Sequence, residues 1–217
     1  MSEILNFKNV SITLNKKNFF NLNFTIRNGD FFLIGGDNAS GKSLLLKLLY
    51  LKTFPDDGDI YLFGKKINKS SKKSILEYRK KLGVILQDDY LIPFFSVYEN
   101  IELASEIQSS KANFKSRMLQ ILDWLGLENI ANSKVDKLSN GEKQKVVIAR
   151  ALINNPKIII ADQPENNLDN NTIRKVFFLF ESLNKQGTTI IITSNLKNII
   201  KLDYKTINLN NLSNDKL

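Results

Sequence analysis

The most specific chemical pattern in the sequence lies between Gly36 and Ser43, which reads Gly-Asp-Asn-Ala-Ser-Gly-Lys-Ser. This run matches the pattern G-x-x-x-x-G-K-[ST], in which glycines let successive backbone N–H groups point at phosphate oxygens. A helix that starts directly after the loop adds the positive end of its dipole. We therefore expect the Lys42 ammonium at the β- and γ-phosphates of a nucleotide and the Ser43 hydroxyl at Mg²⁺. The predicted nucleotide-binding residues are Gly36, Asp37, Asn38, Ala39, Ser40, Gly41, Lys42, Ser43 and Leu44.

A second pattern is the apolar run at residues 158–161, which ends in the carboxylate of Asp162. A carboxylate at the end of a buried strand is costly unless something compensates it, and Mg²⁺ beyond the carboxyl end of the strand would do so. Strands also end in Asp simply to make a turn. The order of the two patterns, with Asp162 after the phosphate loop, favours Ser43 and Asp162 as metal ligands.

A third pattern is the run Leu-Ser-Asn-Gly-Glu at residues 138–142, which precedes a helical stretch. Ser139 and Gly141 are predicted to open that helix and to offer an anion a hydroxyl, free N–H groups and a helix dipole. An alternative interpretation is an ordinary Ser N-cap, with Glu142 as its capping-box partner.

These patterns sit between alternating apolar segments. Hydrophobic periodicity predicts strands at residues 4–11, 19–26, 31–35, 60–63, 83–86, 157–161, 188–193 and 203–209. It predicts helices at 41–51, with Leu44, Leu45, Leu48 and Leu49 inward, and at 97–107, 114–125, 141–152 and 170–183. The helix at 114–125 carries Leu119, Leu122 and Leu125 at helical spacing.

Strand–helix alternation predicts an α/β fold with a mainly parallel sheet that helices cover on both faces. The expected architecture is a phosphate-loop NTPase core with an N-terminal antiparallel β subdomain and an inserted helical subdomain. We predict one domain over residues 1–217, with the nucleotide-binding core at about 1–88 and 155–210 and the helical subdomain at about 89–154.

Composition narrows the function further. The chain has 31 Lys and Arg against 22 Asp and Glu, a formal charge of +9, but this charge is spread along the chain and is nearly all Lys. A diffuse lysine surface of this kind does not predict nucleic-acid binding, and it also suits an anionic membrane surface. There is no Cys, no signal-peptide pattern at the start and no apolar run near the ~18 residues of a membrane span. We expect a cytoplasmic protein that reaches the membrane through a partner.

The run at 138–152 resembles the signature and following helix of ABC ATPases, and the resemblance covers essentially the whole chain in the family's order. Gln87 stands where that family has its Q-loop glutamine, which contacts Mg²⁺, and residues 167–169 stand where its D-loop belongs. The resemblance implies an ATP-dependent homodimer that holds two MgATP molecules. In it, each phosphate loop faces Ser139 and Gly141 of the other copy.

Residues 87–101 resemble the FtsE cell-division ATPases within this family, and the signature also suits the lipoprotein-release and MacB-type ATPases. The resemblance implies an FtsX-like integral membrane permease as partner, with the ATPase peripheral at the inner face of the membrane. Other hypotheses are a lipoprotein-release or MacB-like exporter subunit, an ATP-binding regulator with little hydrolysis, and a soluble protein acting on RNA. Phe94, Phe95 and Tyr98 are candidate anchors for the permease, or are buried in the helical subdomain.

Two departures from the family bear on hydrolysis. Gln163 follows Asp162 where these ATPases have the glutamate that polarises water, and Ser194 takes the place of the switch histidine in a chain without any His. The resemblance makes Gln163, Ser194 and Gln87 the candidate catalytic residues. An amide cannot accept a proton, so a general-base contribution of about 10²- to 10⁴-fold should be lost or reduced.

Two further departures lie elsewhere. Asn140 replaces the first signature glycine, and near Leu14 there is no Tyr to stack on adenine, a role left to Phe19 or Phe20. A Gln at position 163 also suits an engineered trap of the ATP-bound state. The independent departures at Asn140, Leu14 and Ser194 instead favour natural divergence toward slow hydrolysis.

Overall fold

The computed structural model describes residues 2–14, 17–18, 21–37, 40–87, 90–105, 113–194 and 204–209. Its strands are β1 (Glu3–Ser11), β2 (Thr13–Leu14), β3 (Lys17–Asn18), β4 (Leu22–Arg27), β5 (Phe31–Gly35), β6 (Asp57–Leu62), β7 (Lys65–Ile67), β8 (Leu82–Ile85), β9 (Ile158–Asp162), β10 (Thr189–Thr193) and β11 (Lys205–Asn208). Its α-helices are α1 (Lys42–Leu49), α2 (Lys72–Arg79), α3 (Val97–Ser105), α4 (Phe114–Leu125), α5 (Asn140–Leu152) and α6 (Asn170–Lys185). Two short 3-10 helices join α4 to α5, at Glu128–Ile130 and Val135–Lys137.

The central sheet has the strand order β11-β5-β10-β9-β8, and each neighbouring pair is parallel. Every residue of β9 and β10 is buried, as near-continuous Ile runs require of strands in the middle of such a sheet. Because the strands are parallel, their carboxyl ends meet along one edge. The predicted parallel α/β sheet is confirmed.

A second sheet is antiparallel, with the order β4-β1-β6-β7. Both β1 and β4 bury apolar side chains in the core, and the rings of Phe7 and Phe24 stack there with centroids 4.7 Å apart. The predicted N-terminal antiparallel sheet is therefore also confirmed. The predicted strand at 19–26 begins at Leu22 as described, since residues 19–20 lie outside the described ranges.

Helices cover both faces of the central sheet through two apolar cores. One core packs α1, α2 and the antiparallel sheet against Ile158, Ile160 and Ile191. The other packs α3, α4, α5 and α6 against the alternate residues Ile159, Ala161 and similar positions of β10. The helices between β8 and β9 thus share a core with the sheet, and the proposed domain division stays a prediction. No helix in the described ranges combines the length and the apolar character of a membrane span.

The structure corrects several predicted details. The predicted strand at 60–63 runs instead over β6, and Phe63 lies in the turn after it with a positive φ of 49°. In α1, Leu44 was expected to face the core but is only half-buried at its rim. Leu46, which was not predicted to face inward, is buried instead. In α4, Met118 fills the core and Leu119 is 57% exposed, one position off the buried face.

The sequence analysis missed six short elements of the described ranges: helix α2, the strands β2, β3 and β7, and the two 3-10 helices. Helix α2 buries only Ile75 and Tyr78, and its charged composition hides that short apolar stripe. Strand β7 is three residues long, of which only Ile67 is buried. Short segments with one or two buried residues carry too little periodicity to be recognised before the core is known.

Candidate nucleotide-binding site

The phosphate loop joins β5 to α1 at the carboxyl edge of the central sheet. Gly36 and Gly41 have φ values of 145° and 95°, which side chains with a Cβ rarely adopt. Helix α1 begins directly after Gly41, whose carbonyl accepts the N–H of Leu45 at 2.9 Å. Both glycines thus shape the turn as predicted. Asn38 and Ala39 lie outside the described residues.

Two polar groups of this loop suit a phosphate ligand. The Lys42 Nζ donates to the carbonyl oxygens of Gly36 at 2.6 Å and Asp37 at 2.8 Å, so the ammonium lies against the loop itself. The Ser40 Oγ is buried and has no hydrogen-bond partner among the described residues. A buried hydroxyl without a partner is costly, and a phosphate oxygen would satisfy it. The residues present therefore fit the triphosphate of a nucleotide.

Ser43 and Asp162 come together from elements far apart in the chain. The Ser43 Oγ donates to Asp162 Oδ2 at 3.1 Å, and the Thr193 Oγ1 donates to Asp162 Oδ1 at 2.6 Å. Asp162 and Thr193 are paired across β9 and β10, and both are buried. A hydroxyl next to one carboxylate suits Mg²⁺, which binds through one or two carboxylates, substrate phosphates and water. No group of three or more acidic or His ligands occurs in the described part of the chain.

Gln163 and Ser194 lie directly beyond this metal pair. The Gln163 N–H donates to both the carbonyl and the hydroxyl oxygen of Thr193 at 3.0 Å, and its φ of 47° turns the chain away from the strand. The Gln163 Oε1 accepts from the Asn166 Nδ2 at 3.1 Å. The Ser194 Oγ donates to the Glu165 Oε1 at 2.7 Å, and Glu165 is only 8% exposed.

Glu165 was missed by the sequence analysis. The available signal was a carboxylate only two residues beyond the position that lacks one. Gln87, by contrast, lies where predicted: it follows β8 at the same edge of the sheet and is exposed there.

Ser139 and Gly141 start helix α5. The Ser139 Oγ donates to Glu142 Oε2 at 2.6 Å. The Ser139 N–H also donates to Glu142 Oε2, at 2.8 Å, and the Glu142 N–H donates to the Ser139 Oγ at 3.3 Å. The hydrogen bond from the Ser139 hydroxyl, followed by that from its N–H, lowers the pKa of Glu142. The capping-box interpretation is confirmed. Within the described ranges neither Ser139 nor Gly141 bonds the phosphate loop of the same chain.

Helix α5 is nevertheless held against the other half of the site. A Cβ added to Gly141 would lie 2.7 Å from the carbonyl oxygen of Asn167. The buried Gln144 Nε2 donates to the Pro164 carbonyl at 3.1 Å. The loop that carries Gln163 and Glu165 is therefore anchored on helix α5.

The predicted aromatic anchors differ in exposure. Phe94 is 68% exposed, with its ring edge-on to Phe95 at 5.3 Å between centroids. Phe95 and Tyr98 are half-buried, and Tyr98 packs against Phe114 with centroids 6.4 Å apart. Only Phe94 presents most of its surface to solvent.

The central parallel sheet, the phosphate loop after β5 and the carboxylate at the end of β9 together define the phosphate-loop NTPase fold. Residues 19–166 match the ABC transporter family, and the chain belongs to this family.

Relatives and solved structures agree with this assignment. The chain is 41% identical over 218 residues to the lipoprotein-releasing system ATP-binding protein LolD of Wigglesworthia glossinidia brevipalpis, which covers 96% of this chain and 94% of LolD. It is 37% identical over 189 residues to the cell division ATP-binding protein FtsE of Streptococcus pneumoniae serotype 2, which covers 86% of this chain and 82% of FtsE. A dimeric structure of the bacterial ABC transporter cassette MJ0796 is 32% identical with a TM-score of 0.85, over 94% of both chains. The chain thus falls in the FtsE/LolD group of ABC ATP-binding subunits.

Proposed function

We propose that this chain binds MgATP, hydrolyses it slowly, and drives an FtsX-like integral membrane permease in cell division. The observation that carries the proposal is the 3.1 Å hydrogen bond between Ser43 and Asp162, which brings the phosphate loop and the strand-end carboxylate into one site. Membership of the ABC family supports ATP binding and hydrolysis as the general activity.

The nucleotide is held by the phosphate loop. On arrival of the phosphates, the Lys42 ammonium exchanges the carbonyls of Gly36 and Asp37 for phosphate oxygens, and the Ser40 hydroxyl gains a partner. Ser43, Asp162 and Gln87 are the proposed residues around Mg²⁺. Mg²⁺, when held by these residues, would neutralise charge on the phosphate oxygens.

Slow hydrolysis follows from Gln163. Its amide cannot take a proton from water, and its Oε1 already accepts a hydrogen bond from Asn166. Removal of a negative charge beside the γ-phosphate also favours bound ATP. The proposed consequence is a long-lived ATP-bound homodimer in which Ser139 and Gly141 of one copy face the phosphate loop of the other.

Steady-state phosphate release by the native chain and by Gln163→Glu tests this proposal. We expect weaker ATP binding and at least about tenfold faster turnover for Gln163→Glu, because the substitution restores a negative charge near the γ-phosphate and a general base. Equal turnover of the two proteins would show that the amide does not limit hydrolysis. Tight ATP binding with no turnover in the native chain would instead favour an ATP-binding regulator.

Docking to the permease is proposed at the surface around Phe94, and localisation at the inner face of the membrane follows from that contact. Similarity to FtsE and the FtsE-like residues 87–101 favour an FtsX-like partner. The longer match to LolD makes a lipoprotein-release permease the second candidate. The partner is identified by co-purification of the chain with each type of permease from detergent-solubilised membranes.

Phe94→Ser should weaken capture of the correct permease by about tenfold, as expected for an exposed aromatic anchor. Phe178→Ser is the matched control, since Phe178 is 69% exposed on α6. Equal capture by both variants would move the docking surface away from Phe94.

A further inference from the structure

We propose that Ser194 and Glu165 form a proton relay that replaces the missing carboxylate at position 163. This inference rests on the proposed ATPase function and assigns a role to Glu165, which no motif of the sequence marks. Ser194 is the group that reaches the attacking water, and Glu165 accepts the proton through it.

Ser194 is placed by the strand that leads into the metal pair. Thr193, the last residue of β10, donates to Asp162 through its hydroxyl at 2.6 Å, and Asp162 in turn accepts from Ser43 at 3.1 Å. Ser194 is the next residue after Thr193, at the carboxyl edge of the sheet where the nucleotide phosphates are expected. Its position is thus determined by the same hydrogen bonds that form the site.

Glu165 presents its carboxylate to this serine from the neighbouring loop. The Ser194 hydroxyl donates to the Glu165 Oε1 at 2.7 Å, with the hydrogen directed at the carboxylate. The loop is fixed on both sides of Glu165, since the Pro164 carbonyl accepts from Gln144 and the Glu165 carbonyl accepts from the Leu168 N–H. The Glu165 carboxylate is only 8% exposed, so it meets Ser194 within the protein and not in bulk solvent.

Gln163 does not act as the proton acceptor. The Gln163 N–H is engaged with Thr193, and its side-chain oxygen accepts from Asn166. Gln163 can orient a water molecule, but an amide cannot accept its proton. In the described part of the chain, Glu165 is the carboxylate that lies on Ser194, the residue at the switch position.

The relay moves one proton from the attacking water to Glu165 through Ser194. As the water oxygen bonds to the γ-phosphorus, the bond between that phosphorus and the β–γ bridging oxygen breaks and ADP leaves. The water proton passes to the Ser194 Oγ while the Ser194 hydroxyl proton passes to the Glu165 Oε1. Serine is therefore neutral before and after the step, and Glu165 holds the proton until solvent removes it.

The deciding variant is Glu165→Gln. The amide oxygen of Gln still accepts the hydrogen bond from Ser194, so a purely structural role survives this change, but the proton cannot be taken up. We expect turnover to fall at least about tenfold, with the Kd for a fluorescent ATP analogue and the melting temperature unchanged. Ser194→Ala should lower turnover similarly. Glu181→Gln on α6 is the matched control, because Glu181 is also buried, and it should turn over like the native chain.

A second background separates the relay from other effects. In Gln163→Glu protein a general base is present again, so Glu165→Gln should then cost less than about threefold in turnover. Equal losses in both backgrounds, or unchanged turnover of Glu165→Gln in the native background, would overturn the relay.

The two proposals fail in different ways. Loss of ATP binding in the native chain contradicts the proposed function itself. A native chain that binds and slowly hydrolyses ATP, together with a Glu165→Gln variant that turns over equally fast, overturns the relay and leaves the proposed function intact.

Discussion

The Lys42 ammonium, the predicted phosphate contact, is hydrogen-bonded within its own loop. Its ammonium donates to two carbonyl oxygens of its own loop, and both bonds are at 2.8 Å or less. A nucleotide offers the same ammonium charged phosphate oxygens, which form stronger hydrogen bonds than neutral carbonyls. The free loop is therefore closed by a contact that the ligand can replace.

We expect Lys42→Ala to weaken ATP binding by at least about tenfold, since charge-assisted hydrogen bonds contribute about 1.5–3 kcal/mol each. Fluorescent ATP-analogue titration measures the change. Lys47→Ala is the control, because Lys47 is exposed in the last turn of the same helix α1. A Lys42→Ala protein that binds ATP as well as Lys47→Ala would remove Lys42 from the site.

At the scale of elements, helix α5 and strand β8 approach each other at backbone distance. A Cβ added to Gly83 would lie 2.5 Å from the carbonyl oxygen of Ala151, and the atom that it meets is backbone. Only a residue without a side chain lets helix α5 lie on the sheet at this spacing. The contact holds the C-terminal end of α5 on the sheet.

Gly83→Ala should lower the free energy of unfolding by about 1–3 kcal/mol, as overpacking against a fixed backbone does. Gly35→Ala is the control in the neighbouring strand β5, since a Cβ there meets nothing within 4 Å. Chemical denaturation of the two variants measures the difference. A smaller loss for Gly83→Ala than for Gly35→Ala would show that α5 shifts freely.

The Asp169 N-cap at the start of helix α6 predicts that the stability of the fold depends on pH. The side chain of Asp169 accepts from the Thr172 hydroxyl at 2.6 Å and from the N–H groups of Thr172 and Asn171, and these bonds lower its pKa from 3.8 to about 2. Because the pKa is lowered in the folded state, the stabilisation is fully present above pH 3.8 and is lost as the pH falls toward about 2.

Asp169→Ala should lower the melting temperature by roughly 2–4 °C at pH 6, as loss of an N-cap does in a chain of this size. Thermal unfolding without nucleotide, followed from pH 6 down to 3, measures the gap between native and variant chains. The gap should narrow only below pH 3.8. A gap that is constant over this range would show that the carboxylate charge adds nothing to the cap.

For the whole molecule, we propose that a second copy of the chain completes the nucleotide site. Ser139 and Gly141 form no hydrogen bond with the phosphate loop of their own chain within the described residues, although the family resemblance assigns them to a nucleotide. The related cassette MJ0796 is dimeric in a structure that aligns over 94% of this chain. A second copy would supply the missing contacts.

Light scattering after size exclusion should therefore show the 24.8 kDa monomer without nucleotide and twice that mass with MgATP. The native chain should need no trapping substitution if Gln163 slows hydrolysis as proposed. Lys42→Ala should remain monomeric with MgATP. A native chain that stays monomeric at saturating MgATP would contradict the shared site.

The sequence by itself determined the features that depend on neighbouring residues. The loop from Gly36 to Ser43, the parallel α/β sheet and the start of α5 follow from local periodicity, glycine placement and capping chemistry. The loop and the helix start are specified by residues next to them, and the parallel sheet by the order of strands and helices along the chain.

The tertiary structure decided which distant groups meet. Ser194 and Glu165 are 29 positions apart, and Ser43 and Asp162 are 119 apart. These contacts depend on the order and register of β5, β10 and β9, which spacing along the chain does not encode. For the same reason the exposure of Phe94 and the burial of Glu165 appeared only once the helices had been packed on the sheet.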